Sequence, residues 1–489
     1  MLPAGVHIKH PHSLWIDGQW QSAHSGRVIT VICPNTEQPI ALVAEADEAD
    51  MDRAVDAARQ AFESGPWPKL TPADRLMLLR KMSSHLHSRT GEIALAWTAQ
   101  MGGLASFAGP MTGGSTFAFT QFLEACANFA FTEPRPSSAA AAAIVAHEPV
   151  GVVAAIAPWN APYGIMLNKV GYALAAGCTV VMKPAPETPL EAYIIAEAAE
   201  AAGIPAGVVN LVCGLREASD HLISNPAVDK VSFTGSTAVG RRIASVCGDR
   251  IARCTLELGG KSAAIVRDDF PIEAAAKLLT GTITLMSGQV CAMLSRVLVS
   301  RARHDALAEA IAQEMRQVVI GHSTAPTTQL GPVAMKRQLE RVNLYIEEGK
   351  QSANLVTGGQ KPKHLSCGYF VEPTLFANVD NSSRIAQDEI FGPVLSLIPV
   401  DDDEHAVEVA NASRYGLNGS VLTLDADAAY RIGRRIRAGS IGQNGLRLDF
   451  GLPYGGFKQS GIGREGGMEG LSAYLETKTL LLDGMPNQL

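Results

Sequence analysis

The sequence lacks paired cysteines, long apolar runs and any excess of positive charge. Its 489 residues hold eight cysteines, at positions 33, 126, 178, 213, 247, 254, 291 and 367. None has Cys-x-x-Cys spacing and none sits beside a histidine pair, which excludes a disulfide-stapled scaffold and leaves no metal site to predict. They read as free thiols in a reducing compartment, at most one of them reactive. The most apolar stretch, Ala139–Trp159, is broken by His147, Glu148, Pro149 and Pro158, so it does not read as a spanning helix. The opening MLPAGVHIKHPHSLWIDGQW has no apolar core of a secretory signal. A soluble, cytoplasmic chain is the expectation. Lys and Arg number 41 against 48 Asp and Glu, a net −7 with no strongly basic tract. Nucleic acid and anionic membrane are therefore poor partners.

What is present is ordinary globular composition, 47% hydrophobic and 18% charged, which rules out a mainly disordered chain. At roughly 150 residues per unit, the length suggests about three structural units. Short strands around WIDGQW and TVICPNTEQPIALVA come first. Apolar periodicity then predicts helices over 47–62, 72–87 and 91–101, the second with Thr71 as N-cap and Pro72 at its first position. From residue 150 strands and helices alternate. Strands are predicted at 150–157, 179–183, 208–212 and 228–233, with helices at 168–176, 190–202 and 239–246 between or after them. The pattern repeats with strands at 262–266, 297–300, 396–400 and 420–424. Such alternation predicts α/β units on mainly parallel sheets, with ligands at the strand ends.

Several short motifs could carry chemistry. No convincing G-x-G-x-x-G follows a first strand, but Phe233-Thr-Gly235-Ser236 follows a strand and opens a helix. Gly235 permits close approach to a phosphate at that helix start, although a plain turn would look the same. Cys291, in Ser287-Gly-Gln-Val-Cys291, follows a glycine turn; a lone cysteine is ordinarily a packing residue, or a nucleophile if its thiol is activated. Glu257, in Leu256-Glu-Leu-Gly-Gly-Lys261, is a strand-end partner of Lys261 or a desolvated base. Asn160 is held between Pro158 and Pro162, where its amide can meet a developing oxyanion or simply make a turn. Lys183 ends a strand. Glu389-Ile-Phe391-Gly-Pro and the glycine-rich Pro453–Glu465 complete the set.

In their order, PWNAP, FTGS, LELGGK, GQVC, EIFGP and PYGGFKQSGIGRE resemble the aldehyde dehydrogenase superfamily of hydrolytic type, across about Trp15 to Thr479. The resemblance implies two doubly wound α/β domains, one for the cofactor and one for catalysis, plus a small β oligomerisation arm. The cofactor domain would comprise 1–124 and 148–256, the catalytic domain 257–459. The arm and C-terminal segment would be 125–147 and 460–489. Cys291 would be the nucleophile, Asn160 an oxyanion donor, Glu257 the base that activates water, and Lys169 with Glu465 a proton relay. Ile156, Trp159, Lys183, Gly235, Ser236, Leu258, Glu389 and Phe391 would contact the dinucleotide. Homodimer or homotetramer would be the assembly.

Departures from the family pattern bear on specificity. Ala161 stands where many members carry Phe or Tyr, which predicts a wider entrance lined by Ile165, Leu285 and Met286. An apolar aldehyde is expected: aromatic, terpenoid or aliphatic. Arg447 would favour an anion only if it pointed inward. Pro186 stands where NAD-preferring members place a Glu, with Glu187 one step later, so NAD is expected while NADP stays open. The alternatives are a CoA-acylating or semialdehyde dehydrogenase, and a non-catalytic protein on the same fold. The intact Glu257 favours water as acyl acceptor.

Overall fold

A computed structural model of the chain describes residues 2–487. Helix starts follow side-chain chemistry. Asp47 caps Glu48–Glu63, exchanging carboxylate-to-backbone hydrogen bonds with Asp50. At Pro72–Ser88 the Thr71 hydroxyl accepts from Asp74 N–H and the Asp74 carboxylate from Thr71 N–H, with Pro72 in the first turn. Pro162–Ala176 ends at Gly177, whose φ of +99° closes the helix in the left-handed region.

Two α/β sheets dominate. The first has eight strands in the order Gly461–Ile462, Arg253–Glu257, Lys230–Thr234, Val152–Ile156, Thr179–Lys183, Val209–Leu211, Leu14–Ile16 and Gln19–Gln21. Its five central strands are parallel. Helices bury both faces, so Val152–Ile156 and Thr179–Lys183 read as continuous apolar runs rather than alternating ones. The second sheet has seven strands, in the order Asn354–Thr357, Thr374–Ala377, Val394–Val400, Leu294–Ser300, Ser262–Val266, Asn418–Leu422 and Ser440–Gln443. Only its first pair is antiparallel. A third, antiparallel sheet joins Leu475–Leu482, Ala142–Pro149 and Thr132–Arg135. Among the described residues no helix is long and apolar enough to cross a membrane.

Two segments differ from expectation. The helix predicted from Asn168 begins at Pro162. It is buried on nearly every side, so its first turns carry no amphipathic signal. A long helix, Ala105–Cys126, was not anticipated because Gly109, Pro110, Gly113 and Gly114 interrupt its pattern. Its buried face nevertheless runs Ala108, Thr112, Thr116, Phe119, Leu123 and Cys126, with helical spacing. The C-terminal segment divides between two sheets. Gly461–Ile462 pair with the free edge of Arg253–Glu257, and Ser460 pins the segment by donating to the Gly259 carbonyl at 2.7 Å. Gly467–Ser472 then packs on Pro162–Ala176, and only Leu475–Leu482 pairs in the third sheet.

Candidate active site

The two large sheets present opposite strand ends to one cavity. From the first come the carboxyl ends. Val152–Ile156 leads into Trp159 and Asn160, Lys230–Thr234 into Gly235 and Ser236, and Arg253–Glu257 ends on Glu257 itself. From the second come the amino ends. Cys291 precedes Leu294–Ser300, and Glu389 and Phe391 precede Val394–Val400. The cavity they enclose measures about 500 Å³ and is also lined by Ile165 and Leu258.

A tight turn sets the cysteine loop. Met286, Ser287 and Gly288 have φ of +49°, +55° and +72°. Gly288 is required there, since a Cβ would lie 2.2 Å from the Gly392 backbone. That contact locks the Cys291 loop against the Glu389–Phe391 loop, where Phe391 is also left-handed, at +61°. Non-glycine residues in this region store strain, which gathers at functional sites.

Cys291 is half-buried in the cavity wall, and burial pushes its thiol up to about 12. Its one side-chain hydrogen-bond partner among the described residues is the Tyr454 hydroxyl, at 3.6 Å. Glu257 is 3% exposed, and neither carboxylate oxygen has a hydrogen-bond partner. Burial holds its carboxyl well above the usual range, and the Glu465 charge adds to that. Asn160 donates from its side-chain amide to the Gln289 carbonyl at 2.9 Å, and its own carbonyl accepts from Trp97 Nε1 at 2.9 Å. Gln289 is itself fixed, donating to the Met286 carbonyl and accepting from Ala334 N–H, each at 2.9 Å. One amide N–H of Asn160 is left over.

Lys169 and Glu465 form a buried ion pair behind Glu257. Lys169 also donates to Ser232 Oγ at 3.2 Å, and Tyr474 Oη lies 3.0 Å from the same oxygen. Ser232 and Tyr474, like Gln289 and Tyr454, carried no role in the sequence reading. Their side chains meet the site only through the fold.

A groove of about 1470 Å³ continues from the cavity past Trp159, Gly235 and Ser236 to Ile156, Lys183, Pro186 and Glu187. Ser236 caps Thr237–Asp249, leaving that helix start facing the groove. The Thr234 and Thr237 hydroxyls beside it are buried without partners. Lys183 is buried, which lowers its ammonium pKa. Glu187 pairs with Arg337 at 2.6 Å rather than with Lys183. Glu389 accepts from Gly260 N–H at 3.3 Å, and burial raises its carboxyl to about 7. Phe391 meets the Trp159 ring edge-on at 5.2 Å. Unpartnered hydroxyls at a helix start, a buried lysine and a buried carboxylate fit the phosphates and riboses of a dinucleotide.

Of the residues expected at the entrance, Ile165 lines the cavity. Ala161, Leu285 and Met286 pack in the adjoining apolar cluster with Trp97, Phe107, Met111 and Trp159, and Trp159 also lines the cavity. Arg447 is exposed, its Nε 3.5 Å from the Gln443 carbonyl, and does not point into the cavity. Among the described residues no group of three or more His, Cys, Asp or Glu is gathered for a metal ion.

Parallel strands ending over a shared cavity, with a nucleotide-sized groove beside a cysteine, mark a dinucleotide-dependent class of α/β enzyme. Comparison with known proteins narrows the class. A model of the aldehyde dehydrogenase family matches residues 20–480. Geranial dehydrogenase of Castellaniella defragrans is 41% identical, over 98% of this chain and 100% of its own. A Mycobacterium tuberculosis aldehyde dehydrogenase complexed with NAD+ superposes with a TM-score of 0.94 at 41% identity, covering 96% of this chain and 98% of its own. A mutant of aldehyde dehydrogenase C from Pseudomonas syringae, complexed with NAD+ and octanal, gives 0.93 at 35% identity, covering 99% of both chains. The chain belongs to the aldehyde dehydrogenase family.

Proposed function

We propose that the protein oxidises an apolar aldehyde to its carboxylic acid with NAD, through an acyl group carried on Cys291. The observation that carries this reading is one cavity holding a thiol, a partner-free buried carboxylate and the mouth of the dinucleotide groove. Cys291 Sγ attacks the carbonyl carbon, giving a thiohemiacetal. The remaining N–H of Asn160 receives the developing oxyanion, at a position fixed by Gln289 and Trp97. Glu389 and Lys183 would hold the ribose hydroxyls of the dinucleotide, and Gly235 and Ser236 would cradle its phosphates. When bound, the nicotinamide supplies the hydride acceptor that leaves the acyl group as a thioester on Cys291. Glu257 then takes a proton from water for hydrolysis, and Lys169 and Glu465 pass it outward. Because Glu257 makes no hydrogen bond in the described structure, its carboxylate can reorient between these stages.

The apolar preference rests on the surroundings of the nucleophile. Leu446, Leu448 and Tyr454 pack beside Cys291, and Phe107, Met111, Ala161 and Leu285 form the adjoining cluster. The relatives named for geranial and bound to octanal are in keeping with it. NAD is the reading because the solved relatives are complexed with NAD+. Two cations of the groove besides Lys183 are engaged, Arg337 by Glu187 and Arg242 by Asp220, while Arg216 lines it without an ion-pair partner among the described residues. For the assembly, we read Leu475–Leu482 as an interface between copies. It is the edge strand of its sheet and exposes Leu480 and Leu481. Assay of the purified protein against an aldehyde panel, with NAD and NADP in parallel and acid measured, tests the reading. Apolar aldehydes with NAD should give the highest kcat/KM. A preference for small charged semialdehydes would overturn the substrate assignment.

A further inference from the structure

Among the described residues no Lys, Arg or His is hydrogen-bonded to the Cys291 sulfur, whose side-chain partner is Tyr454. The titratable groups that act on it are Glu257 and Glu389, whose negative charges oppose a thiolate, and Tyr454. The Ala292 backbone N–H also favours ionisation. Reactive cysteines are ordinarily activated by His, Lys, Arg or a helix start; here the side chain that favours ionisation is Tyr454.

Tyr454 is placed for that task. Its hydroxyl stands 3.6 Å from Sγ, and the side chain is held from several directions. The ring is 6% exposed and meets Phe450 edge-on at 5.3 Å. Its backbone N–H donates to the Glu465 carbonyl at 2.6 Å, and Glu465 N–H returns a bond at 2.8 Å. Burial and the nearby Cys291, Glu257 and Glu465 raise the phenol well above its usual range, so it keeps its proton. A neutral phenol accepts from a thiol and donates to a thiolate, so the contact survives ionisation with its direction reversed.

We propose that Tyr454 is a further catalytic residue: once the Cys291 thiol has lost its proton to solvent water, the Tyr454 hydroxyl donates a hydrogen bond to the sulfur and holds the thiolate for attack on the aldehyde carbon. The proposal rests on the reading of Cys291 as nucleophile. It also gives one short segment contact with three parts of the chemistry. Tyr454 touches the sulfur, its backbone holds Glu465, and the next residue, Gly455, lies against Glu257.

The test is Tyr454→Phe, which removes one oxygen and keeps the ring. Alkylation of Cys291 by iodoacetamide is followed against pH in the full-length protein, with Cys291→Ala as control. Alkylation should slow about tenfold at each pH, the wild-type rate being regained about one pH unit higher. The burst of reduced nucleotide should slow alike, with thioester hydrolysis unchanged. Replacing Tyr454 with 3-fluorotyrosine, a stronger donor, should move the profile to lower pH, an effect that mere packing would not produce. An unchanged alkylation profile in the Phe variant would overturn the proposal, even with a changed KM, because the hydroxyl would then act on the substrate. Full activity in Cys291→Ala would instead overturn the nucleophile assignment, a separate outcome.

Discussion

Gly455 lies directly against Glu257. Any side chain at 455 would place its Cβ 2.6 Å from Glu257 Oε1 and 3.0 Å from both Arg464 Cδ and the Gly463 carbonyl. The backbone there has φ of +154°. The carboxylate is the flexible partner in this contact, so it is the group that yields. Gly455→Ala should displace the Glu257 carboxylate and slow thioester hydrolysis about tenfold or more, while the first-turnover burst of reduced nucleotide persists. Stopped-flow measurement of burst and steady state separates the two.

Glu257→Gln should go further in the same direction. Loss of a general base ordinarily costs about 10²–10⁴-fold. Burial holds the Glu257 carboxyl well above its usual range, so the protonated form, which cannot accept from water, persists to higher pH than in a free carboxylate. The wild-type hydrolysis rate should therefore rise with pH, and that limb should vanish in the Gln variant. Rapid-quench rates across the pH range check this.

The buried Lys169–Glu465 pair makes a stability prediction. Lys169→Met leaves Glu465 with only Ser232 as a side-chain partner. Breaking one side of a buried pair costs about 3–5 kcal/mol. A lowered melting temperature by calorimetry is expected, with a smaller drop in the Lys169→Met, Glu465→Leu double variant.

Glu389 carries a pH signature. Its carboxyl is raised to about 7 by burial, so the folded protein binds the proton more tightly than the unfolded chain. The stability it contributes is complete below the unfolded value, near 4.5, and is lost as pH rises through about 7. Glu389→Gln should remove that slope. Denaturation midpoints between these pH values would show it as a flatter curve.

Much of the fold was legible because strand and helix ends carry local chemistry. Asp47, Thr71, Gly177 and Gly203 mark element ends whatever surrounds them. The Ala105–Cys126 helix was hidden because packing, not propensity, stabilises a segment with Pro110 and three glycines. The candidate site was legible through motifs such as GQVC and LELGGK. The clamp of Gln289 on Asn160, the Ser232 link and the Tyr454 contact join residues 129, 233 and 163 positions apart. No local pattern encodes such pairings.

The central claim is an acyl group carried on Cys291, and Glu257→Gln offers the means to catch it. The variant is mixed with NAD and an apolar aldehyde such as octanal, quenched in acid within the first turnovers, and digested for mass spectrometry. The account predicts that the peptide containing Cys291 gains the mass of the acyl group, and that hydroxylamine removes it. An unmodified Cys291 alongside a full burst of reduced nucleotide, or acylation at another residue, would contradict it.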